Sequence, residues 1–346
     1  MRPRLSSELL GPTVLVIVVA LFGATTSDTL QLQFRSVLVT SCVVVALHVF
    51  IGNSGVLSFG HVSFVAVGAF GAGLATVPVD IKATRYPRLL PFIADLELGN
   101  VESLVLAAFL GGFFAFLVGI PIMRLSGLSA GIATFAVLII TENLIRNWET
   151  IGPGAKTLAS IPDTTGFLQV TIGLLIIIGV AYTYQRSRHG RMLRATREDP
   201  AAAQSSGVDI YRQRLWAFTI SGVLAGLAGG LLVHLLGSMT TRQVFLDLTF
   251  ITLAMLVVGG IGSLWGAVLG ALFIAGFNSF LAEAEKGVSL ISFELDLPSG
   301  IRLVTLGVIM ALVLLFRPSG LTGGREFSWR FVGRVRGLPA ARTPSS

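Results

Sequence analysis

Charge is what this chain has least of. Asp, Glu, Lys and Arg make up only 12% of its 346 residues, against about 25% in a soluble domain. So few charges cannot cover the surface of a soluble fold of this length. With 53% hydrophobic residues and a mean hydropathy of +0.82, the composition is that of an integral membrane protein. Cysteine is nearly absent: Cys42 stands alone inside an apolar run, which excludes a disulfide framework and a Cys-rich metal site. There is no Asn-x-Ser/Thr acceptor, no His-Glu-x-x-His pair and no cluster of histidines with carboxylates, so a membrane enzyme finds no support. A phosphate-binding loop needs Gly-x-x-x-x-Gly-Lys-Ser/Thr. The nearest string, Gly152 to Thr157, has Ala155 before Lys156 and no correctly spaced glycine upstream. The chain is not expected to hydrolyse ATP, to bind a cofactor or metal, or to act as an enzyme.

Glycine, by contrast, is abundant, at 40 residues, which suits membrane helices that pack backbone to backbone. About 20 apolar residues make one crossing. Candidate spans are 11–27, 36–53, 57–77, 101–121, 128–146, 167–184, 215–237, 248–282 and 301–316. The basic start and apolar run at the N-terminus have the outline of a signal peptide, but a first membrane helix fits better. The stretch 248–282 is long enough for two spans meeting at "GGIGSLWG". Arginines concentrate in the loop 185–214 and in the tail from Arg317, and cytoplasmic segments carry the basic excess. Placing both inside requires the split, giving ten spans and both termini inside. The expected fold is an all-α polytopic membrane bundle with a Gly-broken helix pair near 259–266. Its domain covers 1–324, followed by a basic cytoplasmic tail 325–346 that can lie on anionic lipid. Basic residues that flank spans do not indicate nucleic acid.

Inside the polar loop sits one short, cleanly bounded helix, "REDPAAAQSSGVD". Asp199 is a strong N-cap and Pro200 a favoured first residue. Ala201, Ala202 and Ala203 favour helix, and Gly207 supplies the left-handed stop. Two turns of helix are marginal in water, so the small alanine face is either a docking peg or an ordinary interfacial linker.

Elsewhere, Gly222, Gly226 and Gly230 recur every fourth residue, as do Gly262, Gly266 and Gly270, a spacing that places small residues on one packing face. "IGNSGVLSFGH" is the richest polar stretch among the spans. Gly52, Asn53, Ser54, Gly55, Ser58, Gly60 and His61 are therefore candidates for a broken helix lining a translocation path, although a hydrogen-bonded structural His61 is the plainer reading. His48 and His234 read as structural, and Glu142 as a partner of Arg146 four residues on.

The loop "GRMLRATREDPAAAQSSGVDIYRQRLWAFTISGVLAGLAGGL" resembles the branched-chain amino acid ABC importer permeases of the LivM/LivH type. So do "GNSGVLSFGHVSFVAVGAFGAGL", "MRLSGLSAGIATFAVLIITENLIRN", "VVGGIGSLWGAVLGALF" and "FRPSGLTG", in one order across most of 37–324. The family's Glu-Ala-Ala-x-x-x-Gly pattern falls on Ala201, Ala202, Ala203 and Gly207, with Ala201 where the pattern has Glu. The resemblance implies a coupling helix, with Arg194, Glu198, Asp199, Pro200, Ala201, Ala202, Ala203 and Gly207 as its coupling residues. It implies two separate ABC ATPase subunits that use the ATP, a second homologous permease in a heterodimer, and an extracytoplasmic solute-binding protein. The solute would be a branched-chain amino acid or a related small polar solute such as an amide or urea. An ion-coupled secondary transporter is the weaker alternative, because the acids sit mostly at span ends.

Overall fold

The computed structural model describes residues 5–284, 288–290, 293–295, 301–317 and 319–326. Among them the chain is a helical bundle. Its ten apolar helices are α1 (Leu5–Ala24), α2 (Asp28–Ser54), α3 (His61–Thr76), α6 (Asn100–Ile122), α7 (Gly127–Asn147), α8 (Phe167–Arg186), α11 (Ile210–Leu236), α12 (Leu246–Gly259), α13 (Leu264–Ala284) and α14 (Ile301–Phe316). Short helices α4 (Val79–Arg85) and α5 (Pro91–Ala94) follow α3, and α9 (Arg188–Glu198) and α10 (Pro200–Ser205) lie between α8 and α11.

These ten stand where the ten spans are predicted, but not all are equal. Among the described residues seven helices are long and apolar enough to cross a membrane, and α3 makes an eighth when joined to α4 across a 111° bend. The outer two, α1 and α14, are shorter apolar helices. The predicted split of 248–282 is present: α12 ends at Gly259, and Gly260, at φ 116°, breaks the path before α13. One small departure from all-α is an antiparallel hairpin, β1 (Val288–Leu290) with β2 (Phe293–Leu295). α1 buries Val16 and Ala20 and packs on α2, α8 and α13, as a bundle helix does.

Three helices form the centre, α2, α3 and α11, and α3 buries 14 of its 16 residues. In α2 78% of the apolar window is buried and in α11 67%, whereas α6 and α7 bury 33% and 28%. α11 reaches the centre because its glycines let two backbones come close. A Cβ on Gly226 would lie 2.3 Å from the Ala107 carbonyl oxygen on α6, and one on Gly222 2.2 Å from the Ala115 Cβ. Gly230 faces Leu104 and Ala107 in the same row. On α11's other side, a Cβ on Gly229 would meet the Val65 carbonyl oxygen of α3 at 2.1 Å. The second glycine row divides differently from its pattern. Gly266 and Gly270 press on α12, where Cβ atoms would come within 2.6 Å of the Gly259 oxygen and 2.2 Å of the Met255 oxygen. Gly262 lies in the turn between α12 and α13, outside any helix, and its added Cβ would have only Gly324 nearby, at 3.8 Å. The i+4 spacing runs across a helix break, so its first member is not on the face.

At one end of the bundle, irregular segments knit into a cap. Leu158 and Met239 exchange backbone bonds of 2.9 and 2.7 Å, Leu90 N–H donates to the Thr150 oxygen, and the Tyr86 hydroxyl donates to the Thr157 oxygen at 3.0 Å. Lys82 is fully buried and donates to the carbonyls of Ile93 and Leu96, tying α4 to the end of α5.

Overpacking a close helix crossing costs about 1–3 kcal/mol. Gly226→Leu is therefore expected to lower the unfolding temperature of the purified protein in detergent, while Gly179→Leu, with nothing within 4 Å of its added Cβ, should leave it nearly unchanged. Equal thermal stability of the two variants would contradict this packing.

Candidate functional site

The polar loop folds as predicted, into a basic helix followed by a small capped one. Ser187 caps α9 by accepting from the Gly190 N–H at 3.1 Å. Asp199 caps α10, its Oδ1 accepting from the N–H groups of Ala201 and Ala202 at 2.9 and 3.0 Å. Gly207, at φ 80°, ends the helix with its N–H on the Gln204 carbonyl. Asp209 then caps α11 through the Arg212 N–H at 3.1 Å. Pro200, Ala201, Ala202, Gln204 and Ser205 are exposed and only Ala203 turns inward. The alanine face is thus presented outward.

α9 fixes this peg to the bundle. Leu193 and Thr196 are buried. Arg194 donates to the Gln185 carbonyl at 2.6 Å. Partial burial holds its guanidinium below the usual arginine value, and the carboxylate of Glu326 acts against that. Arg197 reaches the end of α2, where its Nη1 donates to the Gly52 carbonyl at 2.8 Å. Its side chain also packs on Gly55, where a Cβ would lie 2.9 Å from the Arg197 Cγ. Of the predicted coupling residues, Glu198 is exposed and makes none of these contacts. Arg197, absent from that set, makes the contact that joins the loop to the candidate path. Only its place among seven loop arginines was visible in sequence.

The candidate path residues do come together, at the break between α2 and α3. Gly55, at φ 70°, stops α2 with its N–H on the Ile51 carbonyl. The segment 55–60 then runs without helix to His61. Phe218, eight residues and about 12 Å into α11, packs on both Phe50 and His61, at ring distances of 5.0 and 5.1 Å. The break therefore lies within the bundle rather than beyond its end. It is braced by α7: Phe59 N–H donates to the Thr134 hydroxyl at 3.2 Å, and a Cβ on Gly60 would meet the Thr134 carbonyl at 2.4 Å. Its polar groups bond to neighbours close in the chain, except the His61 Nε2, which has no partner among the described residues. Asn53 donates to the Val49 carbonyl at 2.9 Å, Ser54 accepts from the Val56 N–H, and the Ser58 hydroxyl meets the His61 Nδ1 at 2.7 Å. Phe50, Phe64 and Phe218 enclose the His61 ring. Asn53, Ser54, Ser58 and His61 are buried, whereas Gly55 and Leu57 on the same segment are exposed.

His234 and Glu142 fall into structural roles. His234 joins three helices, with Nδ1 2.8 Å from the Gly230 carbonyl and Nε2 3.2 Å from the Thr76 hydroxyl and 3.5 Å from that of Ser103. Glu142 pairs with Arg146 at 3.6 Å. Glu142 also borders a gap of about 10 Å³ with Ser63, Thr141 and Thr241, room for about one water. Ser63 is buried and its hydroxyl has no partner among the described residues. A serine within the apolar run after His61 gave no sequence signal of this. An apolar cavity of about 440 Å³ lies between α3, α6 and α7, walled by Phe70, Leu74, Leu110, Leu144 and Trp148. The string Gly127–Leu128–Ser129–Ala130–Gly131 spells Gly-x-Ser-x-Gly. It opens a helix after a turn, whereas a nucleophile elbow joins a strand to a helix. Among the described residues no group of three His, Cys, Asp or Glu could hold a metal.

Losing an N-cap aspartate costs about 0.5–2 kcal/mol, and 1 kcal/mol is about a fivefold change in an opening equilibrium. Asp199→Ala should speed amide hydrogen exchange over 201–206 several-fold and leave α11 unaffected. Unchanged exchange there would show that the cap does not hold α10.

Comparison with known proteins agrees with this architecture. The chain is 26% identical over 309 residues to the high-affinity branched-chain amino acid transport system permease protein LivM of Escherichia coli, covering 80% of this chain. It spans 65%, just under two thirds, of that relative's length. It is 27% identical over 314 residues to the probable branched-chain amino acid transport permease protein LivM of Methanocaldococcus jannaschii, covering 81% of this chain and 89% of the relative. To the same organism's probable permease protein LivH it is 31% identical over 175 residues, 49% of this chain and 50% of the relative. No solved structure matches. Residues 33–314 match the family described as branched-chain amino acid transport system / permease component, and the chain belongs to that family.

Proposed function

We propose that this chain is the membrane-spanning permease subunit of an ABC importer, translocating branched-chain amino acids or related small polar solutes. The observation that carries this reading is the outward-facing capped helix α10, fixed through Arg197 to the broken end of α2. Asp199, Pro200, Ala201, Ala202 and Gly207 would seat in a groove of a separate ATPase subunit, with Glu198 at the rim, while Ala203 turns inward and Arg194 holds α9 to the end of α8. Docking would supply the stabilisation that six helical residues lack alone. Two such ATPases would use the ATP, and this chain would bind no nucleotide. A second, homologous permease would complete a heterodimer, and an extracytoplasmic solute-binding protein would deliver the solute to the capped end. The basic loop and the tail then face the cytoplasm, in line with their arginines.

Motion enters where the loop meets α2. A hydrogen bond with one charged partner contributes about 1.5–3 kcal/mol, the lower figure applying where water reaches the guanidinium. Displacing α9 therefore draws on the Gly52 carbonyl and the segment 55–60. Freeing Ser58 and His61 from each other would open a polar break into which irregular backbone can be admitted at depth. Related permeases are named for the import of autoinducer 2 and fructose and for nucleosides, so the scaffold itself does not dictate the solute. Urea or an amide is the second reading of the same family.

Reconstituted with the ATPases, the second permease and the binding protein, the chain is expected to take up a branched-chain amino acid only with ATP. Gly207→Val, forced into a left-handed backbone that costs about 1–2 kcal/mol, should abolish most uptake while leaving insertion intact. Uptake driven by a sodium or proton gradient without ATP would overturn the proposal. A reporter fused after residue 346 should be found inside the cell; an extracellular reporter would refute the orientation.

A further inference from the structure

The residues just past α14 do not leave the bundle. From Ser319 to Gly324 the chain folds over the α12–α13 break. Leu321 N–H donates to the Val258 carbonyl at 2.8 Å, and Thr322 donates to the Gly259 carbonyl from its N–H at 3.3 Å and its hydroxyl at 2.9 Å. Gly320, at φ 77°, lies so close that a Cβ would meet the Gly260 Cα at 2.5 Å. This clamp delivers one side chain, Glu326, to the start of α13. Its Oε1 accepts from the Leu264 N–H at 2.8 Å and its Oε2 from the Trp265 N–H at 3.1 Å, with the Ser263 hydroxyl at 3.2 Å. A carboxylate there satisfies orphan amides and complements the positive end of the helix.

One contact of Glu326 is not needed for a cap. Gln185, buried at the end of α8, donates to the same Oε1 at 3.0 Å. Its backbone carbonyl in turn accepts from Arg194 of α9. Around this crossing is a polar cavity of about 320 Å³ bordered by Arg186, Arg191, Arg194 and Glu8, with Arg186 paired to Glu8. A continuous polar chain thus runs from the coupling loop through Arg194, Gln185 and Glu326 to the first turn of α13.

We propose that Glu326 is a positioning residue for energy coupling: together with Gln185 it ties the α12–α13 break to the coupling loop, so that a displacement of α9 and α10 moves α13 as well as α2. This rests on the importer reading given above. The α2 end is pulled through Arg197 and the α12–α13 break through Glu326, and each is a place where a helix is interrupted by glycine. The two interrupted elements receive the same motion from one loop.

The discriminating variant is Gln185→Met, which removes the bridge and leaves Glu326 on α13. In the full reconstituted transporter it should assemble and hydrolyse ATP at close to the wild-type rate, yet import about fivefold less solute per ATP. Glu326→Ala should lower the same ratio and also the unfolding temperature. Joining the two substitutions should lower the ratio no further than Glu326→Ala alone, since both cut one link. An unchanged ratio in Gln185→Met would overturn the proposal, and so would additive losses in the double variant. Wild-type protein that imports without ATP would instead sink the importer reading, independently of these variants.

Discussion

The bond from Arg197 to the Gly52 carbonyl is the constraint on which the rest depends. It joins an outward-facing peg to a helix that stops inside the bundle. Without it α9 would still be held to α8 through Arg194 and to α11 through His189, but the loop would have no hydrogen bond to the end of α2 among those described. With it, the loop's position and that of the segment 55–60 are coupled quantities. The geometry requires glycine on the receiving side: Gly55 adopts a left-handed conformation and also yields room for the arginine stem. A side chain at either function would cost the other.

Around that joint the bundle is stiff where backbones touch and open where they do not. Lipid offers no hydrophobic drive between helices, so close contact must come from dispersion and shape. The glycines of α11 and of the α12–α13 pair supply it, bringing carbonyls within about the reach of an added methyl group. α7 is the contrast, with only 28% of its apolar window buried, and it is braced on the α2–α3 break through Thr134. Rigid blocks separated by interrupted helices can exchange between discrete packings, and packed cores respond in steps rather than by continuous bending.

Much of this was legible beforehand because its signals are local. The capped helix at 200–205 follows from Asp199, Pro200 and Gly207, each acting on neighbours within four residues. The row Gly222, Gly226 and Gly230 follows from helical period, and so does the Glu142–Arg146 pair. The failures have a common physical cause: they concern partners distant in sequence. Gly229 matters as much as Gly226, yet it faces α3 rather than α6 and lies off the row. Gly262 fits the row and falls in a turn. Glu326 was assigned to the start of a basic tail, but its carboxylate is on α13, 62 residues back in the chain. Residues 327–346, the rest of that tail, lie outside the described residues. The path candidates from Gly52 to His61 are gathered at one break, but Ser58 bonds to His61 and Asn53 and Ser54 to nearby backbone, which no spacing argument distinguishes from lining a cavity.

The most direct measurement is a pair of distances in the assembled transporter, with spin labels on introduced cysteines, the buried Cys42 being shielded from the reagent. One pair joins position 206 beside α10 to position 57 in the break between α2 and α3, both exposed; the other joins 206 to position 92 in the outer cap. If the loop and the broken end of α2 move as one body, adding ATP will shift the second distance and leave the first unchanged. If instead α10 departs from position 57 while the break stays fixed to the cap, the coupling described here does not exist.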